Sequence, residues 1–208
     1  MGTGQTAVPR RAGARAVLVA LALTTVLAGC SSDDPFQPTE SVRGALLRIH
    51  SLNGSPPGAH NSIAFAGAMG AGLLGPMSLP AGPNFLFDIA VDFEEDGSVL
   101  MYPVGLVGSV LGGGRDVGFR HYTIPFDDLR TAPTDGYTFS EPVELLEGDV
   151  YAMVSINAPI CTSGFVLIPN VYSKMLVEEI DPVTRTVLIR IISDPSCGFR
   201  RLTTDQNP

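Results

Sequence analysis

Three histidines are the side chains of this 208-residue chain best suited to acid–base chemistry or metal binding: His50, His60 and His121. His121 lies in Arg120-His121-Tyr122, inside the predicted strand Val117–Ile124 and beside aromatic residues. An imidazole beside aromatic rings is suited to ligating haem iron, with His60, His50 or a methionine as second ligand. We therefore take His121, Tyr122 and His60 as candidate ligand-binding residues. The alternative is a half-exposed strand histidine that binds nothing.

The remaining chemical motifs in the sequence are incomplete. Residues 92–97 (DFEEDG) resemble the opening of a calcium loop, but Pro103 occupies the twelfth position, where a bidentate glutamate is needed. The glycines at 112–114 are followed by Arg115 and Asp116, and not by the Lys and Ser/Thr of a phosphate loop. No G-x-S-x-G or H-E-x-x-H motif occurs, so we assign no catalytic or metal-binding residues and expect no enzyme. A Ser-His-Asp triad assembled in space stays open.

The charge balance argues against a nucleic-acid partner. The chain has 13 Lys and Arg against 21 Asp and Glu, a formal net charge of −8, and Lys174 is its single lysine. Nucleic-acid binding needs clustered cations, which this composition does not provide. The 45% apolar content is instead that of a folded domain with a core.

The N-terminal segment has the pattern of an export signal. Arg10, Arg11 and Arg15 precede an apolar run at 16–28 (AVLVALALTTVLA). As a helix this run spans only about 20 Å, less than the ~30 Å hydrocarbon core of a bilayer. The pattern therefore predicts a signal peptide over residues 1–29 and not a membrane-spanning helix.

The apolar run ends in Leu27-Ala28-Gly29-Cys30, which resembles the lipobox of bacterial lipoproteins at all four positions. The resemblance implies cleavage before Cys30, a diacylglycerol thioether on its sulfur and acylation of the new amino group. Two or more acyl chains anchor a protein stably on a membrane. The alternative is an ordinary secretory signal with an accidental cysteine.

Residues 30–41 are polar and acidic with two prolines, which predicts a lipidated tether. Ser31, and not aspartate, follows the lipidated position. By the enterobacterial sorting rule the resemblance then implies the outer membrane. We expect a lipid-anchored protein of the cell envelope, with residues 42–208 as a single β domain.

Two cysteines remain if Cys30 carries the lipid: Cys161 and Cys197. Exported proteins tend to oxidise such pairs, so we predict a Cys161–Cys197 disulfide. Two buried thiols or a metal pair are the alternatives, although no C-x-x-C or H-x-x-x-H spacing supports metal binding.

Glycine and proline are spread so densely after the signal that the longest stretch without either is 84–96. A domain-building helix has little room, so we predict an all-β fold with little helix. About nine short strands separated by turn residues indicate an antiparallel β-sandwich or barrel-like fold. The candidate strands are Val42–His50, Phe85–Phe93, Ser98–Val104, Val117–Ile124, Gly136–Val143, Val150–Ile156, Phe165–Val171, Ser173–Ile180 and Thr186–Ser193. Glu94-Glu95-Asp96-Gly97 is predicted to form the hairpin turn after the second of them.

Some segments permit a second interpretation. Helix-forming residues at 173–181 make a short helix the alternative to a strand there, and 126–132 is compatible with a single helical turn. The stretch Ile63–Pro83 is apolar but rich in glycine. We interpret it as irregular strand and loop packed into the core, or as an apolar pocket wall or partner surface.

The order of several short motifs is similar to that of the HmuY-like haem-binding lipoproteins, which are lipid-anchored β proteins on the bacterial surface. The similar segments are Phe87-Asp88-Ile89-Ala90, Gly105–Gly114, Phe126-Asp127-Asp128-Leu129, residues 132–137, Gly148-Asp149-Val150-Tyr151 and Tyr172-Ser173-Lys174-Met175. The resemblance implies haem as a ligand. It assigns no axial histidine, because no histidine of this chain lies in these motifs, and Phe87 stands where the family usually has tryptophan.

The predicted localisation in the cell envelope and the all-β fold class together predict a non-enzymatic β module. We expect it to bind a protein or an apolar small molecule of unknown specificity. We expect the module to associate with the membrane through its N-terminal lipid. A haem carrier and a structural subunit of an envelope complex are the two alternatives.

Overall fold

The computed structural model describes residues 42–69, 72–107, 115–161 and 169–204. Its strands are β1 (Arg43–His50), β2 (Ser62–Ala64), β3 (Gly67–Met69), β4 (Gly72–Leu74), β5 (Met77–Leu79), β6 (Ile89–Phe93), β7 (Val99–Pro103), β8 (Asp116–Tyr122), β9 (Thr138–Phe139), β10 (Val143–Glu144), β11 (Val150–Ile156), β12 (Val171–Asp181) and β13 (Thr186–Asp194). The described helical elements are the four-residue helix α1 (Val104–Val107) and two 3₁₀ turns, η1 (Phe126–Asp128) and η2 (Pro159–Cys161). The predicted signal peptide, tether and Cys30 lie outside the described residues.

Two open antiparallel sheets carry the fold. The larger has the strand order β1-β13-β12-β11-β8-β9, and the smaller has the order β10-β7-β6-β2-β5, while β3 and β4 form a separate hairpin. All described pairings are antiparallel. This arrangement confirms the predicted all-β class and its sandwich form, and it is not a closed barrel.

Side chains from both sheets meet in one apolar core. Alternate residues of β11, Tyr151 and Met153, point into it and pack with residues of the smaller sheet such as Ile89, Val91 and Met101. Because successive strand residues point to opposite faces, the other residues of β11 lie on the outer face of the larger sheet.

A second apolar cluster covers that outer face. Val150, Ala152 and Val154 of β11 pack against Phe126 of η1 and against Leu202 near the C-terminal end of the described chain. The segment after β8 and the segment after β13 therefore form a third layer. This layer explains why residues 150–155 of β11 are buried on both faces.

The strand predicted at 85–93 ends at Phe93 as predicted but is shorter in the structure, because pairing begins only at Ile89. Phe85 and Leu86 instead form an irregular segment and are 39% and 42% exposed. The predicted turn after this strand is confirmed, with Gly97 at a φ of +91° and its amide donating to the carbonyl of Glu94. The return strand ends at Pro103, and α1 begins at the next residue, Val104.

The structure also decides the conformation of the segments that the sequence left ambiguous. The helical interpretation of 173–181 is wrong, because this segment lies in β12, paired on both sides by β11 and β13. The candidate strand 136–143 is instead divided between β9 in the larger sheet and β10 in the smaller, with Ser140 between them at a φ of +60°. The predicted helical turn shrinks to η1. Most of the candidate strand at 165–171 lies outside the described residues.

Candidate ligand-binding cleft

A cleft of about 300 Å³ opens where β6 and β8 begin and β11 ends. Its walls come from the region after β2, from β5, from the segment before β6, from the residue before β8 and from η2. The lining residues are Ala66, Gly67, Met77, Leu79, Asn84, Phe85, Leu86, Arg115, Pro159 and Ile160. The predicted apolar stretch at 63–83 therefore supplies both core residues and one wall of this cleft.

The apolar character of the cleft follows from the local chain. Phe85 and Leu86 precede β6 without joining the sheet, so their side chains remain partly exposed at the cleft. Gly67 allows Met77 to lie directly against the backbone, because a Cβ at this position would come within 2.6 Å of the Met77 sulfur. A cavity of this size and lining falls at the small end of the range for small-molecule sites.

The one charged residue of the cleft wall is Arg115, whose side chain is 5% exposed. Its Nη1 lies 3.1 Å from Oδ1 of Asp88, and its Nη2 donates to the carbonyl of Phe87. Asp88 is fixed in turn, because Oδ1 accepts from Ser155 Oγ at 2.7 Å and Oδ2 accepts from the Phe65 amide at 2.7 Å. This network joins the two sheets beside the cleft.

The guanidinium is not fully satisfied by these contacts. Within the described ranges Nε of Arg115 has no hydrogen-bond partner, although it is buried. A buried donor without a partner costs free energy, so an acceptor at Nε would be favoured, whereas the charge of the guanidinium is already paired with Asp88. The cleft thus combines an apolar lining with one ion-paired guanidinium that has a hydrogen-bond donor to spare.

The disulfide predicted between Cys161 and Cys197 is present, with Sγ atoms 1.98 Å apart and Cα atoms 5.6 Å apart. Cys161 ends η2, whose Pro159 and Ile160 line the cleft. Cys197 follows β13. The disulfide therefore ties one wall of the cleft to the end of the larger sheet.

His121 lies on β8, as predicted, but away from the cleft. Its Nε2 is 3.1 Å from Oδ1 of Asp149, and its ring centroid is 5.1 Å from that of Tyr151. Burial and the Asp149 carboxylate raise the pKa of the Tyr151 hydroxyl. His121 is 48% exposed and, with Tyr122 and Ile124, lines a groove of about 450 Å³.

His60 lies at the opposite edge of the larger sheet. Its carbonyl accepts from the amide of His50 at the end of β1, and its Nδ1 contacts Ser78 Oγ at 2.9 Å. His121 is aligned across the sheet with Ala45 of β1, four strand spacings or about 19 Å away. The structure therefore does not bring His121 together with His60 or His50.

Neither His121 nor His60 forms a triad among the described residues. The contacts of His121 include a carboxylate but no serine, whereas His60 contacts a serine but no carboxylate. No histidine in the described part of the chain lines the apolar cleft. No group of three or more His, Cys, Asp or Glu residues there is arranged to hold a metal ion.

Asp92, the first residue of the calcium-like motif, is occupied by other contacts. Its Oδ1 accepts from the amides of Asn53 and Phe93 at 3.1 and 2.9 Å and from the Ser51 hydroxyl, and its Oδ2 accepts from the Asn53 side-chain amide. Asp96 accepts from Ser98, and these hydrogen bonds lower its pKa. The motif is a hairpin with a buried carboxylate at its start, and the glycines at 112–114 lie outside the described residues.

Comparisons of the chain with protein-family models, with curated proteins and with solved structures found no match. Among the described residues, no helix combines the length and apolar character needed to cross a membrane. The sequence did not single out Arg115, the charged group of the cleft. The signal that pointed toward it was Asp88, an acid inside an otherwise apolar run, whose burial requires a partner.

Proposed function

We propose that this chain is a lipid-anchored module of the bacterial cell envelope that binds a small amphipathic ligand in its apolar cleft and catalyses no reaction. The observation that carries the proposal is the cleft itself, an apolar cavity of about 300 Å³ with the buried Arg115 in its wall. Such a combination favours a ligand with an apolar body and one hydrogen-bond-accepting group, because the Arg115 charge is already paired with Asp88 while its Nε has no partner in the described part of the chain.

The localisation in this proposal, a lipid anchor in the cell envelope, is supported by the sequence of the N-terminal segment. An apolar run too short to span a bilayer ends in Leu27-Ala28-Gly29-Cys30, and a polar segment separates Cys30 from β1. The Cys161–Cys197 disulfide fits an oxidising compartment outside the cytosol.

The ligand proposal is tested with anilinonaphthalene sulfonate, an apolar fluorophore that carries one sulfonate. Leu86 lines the cleft and Leu46 lies on β1, and both are exposed, so the same substitution at each gives a matched pair. We expect Leu86→Asp to weaken dye binding at least about tenfold by placing a charged carboxylate in the apolar lining of the cleft. Leu46→Asp should bind the dye like the parent protein.

Equal dye affinity for Leu86→Asp and the parent would show that the cleft is not the binding site. Because both substitutions are at exposed positions, unfolding by urea should give similar midpoints for the two variants. Competition by fatty acids of increasing chain length would then measure how long an apolar body the cleft accepts.

Lipid anchoring in the membrane is tested separately in cells. Cys30→Ala should release the protein from the membrane fraction, because it removes the site of lipidation. Retention of this variant in membranes would contradict lipid anchoring.

The haem alternative stays a prediction, tested by titrating haemin into the protein and following the Soret band. A saturable shift that His121→Ala abolishes would establish haem binding at β8. The alternative of a subunit in an envelope complex predicts co-purification with a larger assembly after crosslinking in the native membrane.

A further inference from the structure

Lys174, the single lysine of the chain, is buried. It lies on the outer face of β12 beneath the third layer and is 1% exposed. Its Nζ donates to the carbonyl of Phe126 at 2.7 Å and lies 4.2 Å from the centroid of the Phe126 ring. A buried ammonium normally has a carboxylate partner, because burial removes the water that stabilises its charge.

No carboxylate of the described residues lies within 4.0 Å of this ammonium. The ion pairs found there use Arg48, Arg115, Arg120, His121, Arg185 and Arg190. Burial lowers the pKa of Lys174, an effect that the more distant Asp127 opposes and Arg130 reinforces. An unpaired buried cation stands out here, since acids outnumber Lys and Arg by 21 to 13 in the chain.

Lys174 and Arg130 line a cavity of about 180 Å³ that shares no residue with the apolar cleft. The other lining residues are Asp127, Ile192, Leu202, Thr203 and Thr204. Arg190 lies on the same outer face, 5.8 Å from the centroid of the Phe126 ring, and is paired with Glu178. The cavity thus holds one acid and two cations that form no ion pair with any described residue.

We propose that this cavity is a second binding site, which takes a single small oxyanion group, a carboxylate or a phosphate, on Lys174 Nζ and Arg130. The anion supplies the opposite charge that the buried ammonium lacks. The volume of the cavity is below that of sites for larger organic ligands, so the cavity holds the charged group and not a large apolar body. The two proposals are independent, because the sites share no residue.

The single lysine makes a direct test possible, since lysine labelled with ¹³C gives one Cε signal. Titration of the purified mature chain with inorganic phosphate, and separately with acetate, should shift this signal saturably and raise the pKa read from it. The tighter of the two anions identifies the preferred oxyanion. Arg130→Gln should weaken that binding about tenfold by removing one charge-assisted contact.

Arg48→Gln is the matched control, because Arg48 is an exposed arginine on the edge strand β1 and does not line the cavity. It should bind the anion like the parent. Lys174→Met should abolish binding measured by calorimetry. If this variant does not fold, Arg130→Gln still decides the question, because Arg130 is exposed and its replacement leaves the core unchanged.

Three results would overturn the proposal. The first is a Cε signal that stays constant with both anions, and the second is an Arg130→Gln variant that binds as tightly as Arg48→Gln. In the third, a chain ending at Thr204 binds phosphate whereas the complete mature chain does not, which would mean that carboxylates of the last residues occupy the cavity.

Discussion

Two buried aspartates, Asp88 and Asp92, stand four residues apart at the two ends of one short stretch of the smaller sheet. Each accepts hydrogen bonds from a serine that lies far away in the sequence, and each has an arginine nearby. Both are surrounded by apolar neighbours in a stretch where every residue from 87 to 93 is buried. The two sites nevertheless stabilise their carboxylates in different ways.

Asp88 depends on a buried ion pair. Arg115 lies 3.1 Å away, and the two side chains are 5% and 4% exposed. Asp92 depends on neutral donors from one loop, Ser51 and Asn53, while Arg185 is 3.7 Å away and 38% exposed. A carboxylate can therefore be buried either with a desolvated cation or with several neutral donors. Only in the first arrangement does the loss of one partner leave a buried charge without compensation.

The largest effect is expected from Arg115→Met, which leaves the Asp88 carboxylate buried without its cation. We expect a loss of about 3–5 kcal/mol in the free energy of unfolding, measured with urea. Adding Asp88→Asn to this variant should recover part of the loss, because no buried charge then remains. A loss below about 1 kcal/mol for the single variant would contradict the dependence of Asp88 on Arg115.

The disulfide acts on the Asp88 end of the sandwich. Replacing Cys161 and Cys197 together by serine should lower the free energy of unfolding by about 2–4 kcal/mol. Hydrogen exchange should accelerate at the Ala158 amide, which bonds to the Pro169 carbonyl near η2. Exchange at Asn53 and Phe93 should change only through the loss of global stability. Equal acceleration of exchange at Ala158 and at Asn53 and Phe93 would show that the disulfide does not act locally on the Asp88 end of the sandwich.

Asp194 extends the comparison to a third carboxylate, which lacks a donor for one oxygen. Its Oδ1 accepts from the Ser196 amide, whereas Oδ2 is buried with no partner among the described residues. Burial raises the pKa of Asp194 above 3.8, opposed by Ser196 and Arg201. The folded state therefore binds this proton more tightly, and stability falls as pH rises from 3.8 through the folded pKa.

Asp194→Asn should consequently stabilise the protein near neutral pH, by about 1 kcal/mol, because it removes a buried charge without a full set of donors. The gain should shrink as the pH is lowered and vanish below 3.8, where both states of the parent are protonated. Urea unfolding at several pH values measures this difference. A gain that does not depend on pH would assign the effect to packing and not to the charge.

The smallest effect is expected from Arg185→Met beside Asp92. The arginine is partly exposed, and the carboxylate keeps its donors from Ser51 and Asn53, so the loss should be below about 1 kcal/mol. Urea unfolding measures it under the conditions used for Arg115→Met. A loss as large as that of Arg115→Met would show that Asp92 also needs its cation.

The strands with alternating residues were predictable, because alternation records which face meets the core. Residues 150–156 and 186–193 are examples. At 173–181 the intrinsic helix preference of lysine, methionine and leucine was overridden by pairing with two neighbouring strands. Local sequence also gave no reason for Phe85 to lie outside the sheet.

The candidate sites were less predictable, since their parts are far apart in the sequence. Asp88 meets Arg115 and Ser155, and no local period encodes such contacts. The burial of Lys174 depends on the third layer, formed by the segments after β8 and β13. The pairing of Cys161 with Cys197 was predictable because assigning Cys30 to the predicted lipidation left one pair.

The first and last long strands of the domain are neighbours, with Ala45 of β1 opposite Ile191 of β13. The larger sheet cannot be completed until nearly the whole chain has been synthesised. Contacts between such distant residues slow folding, because a long loop must close before they form. In a chain that crosses a membrane N-terminus first, β1 would emerge early and wait unpaired for β13. For the export that we propose, this order of emergence would limit premature folding during transport.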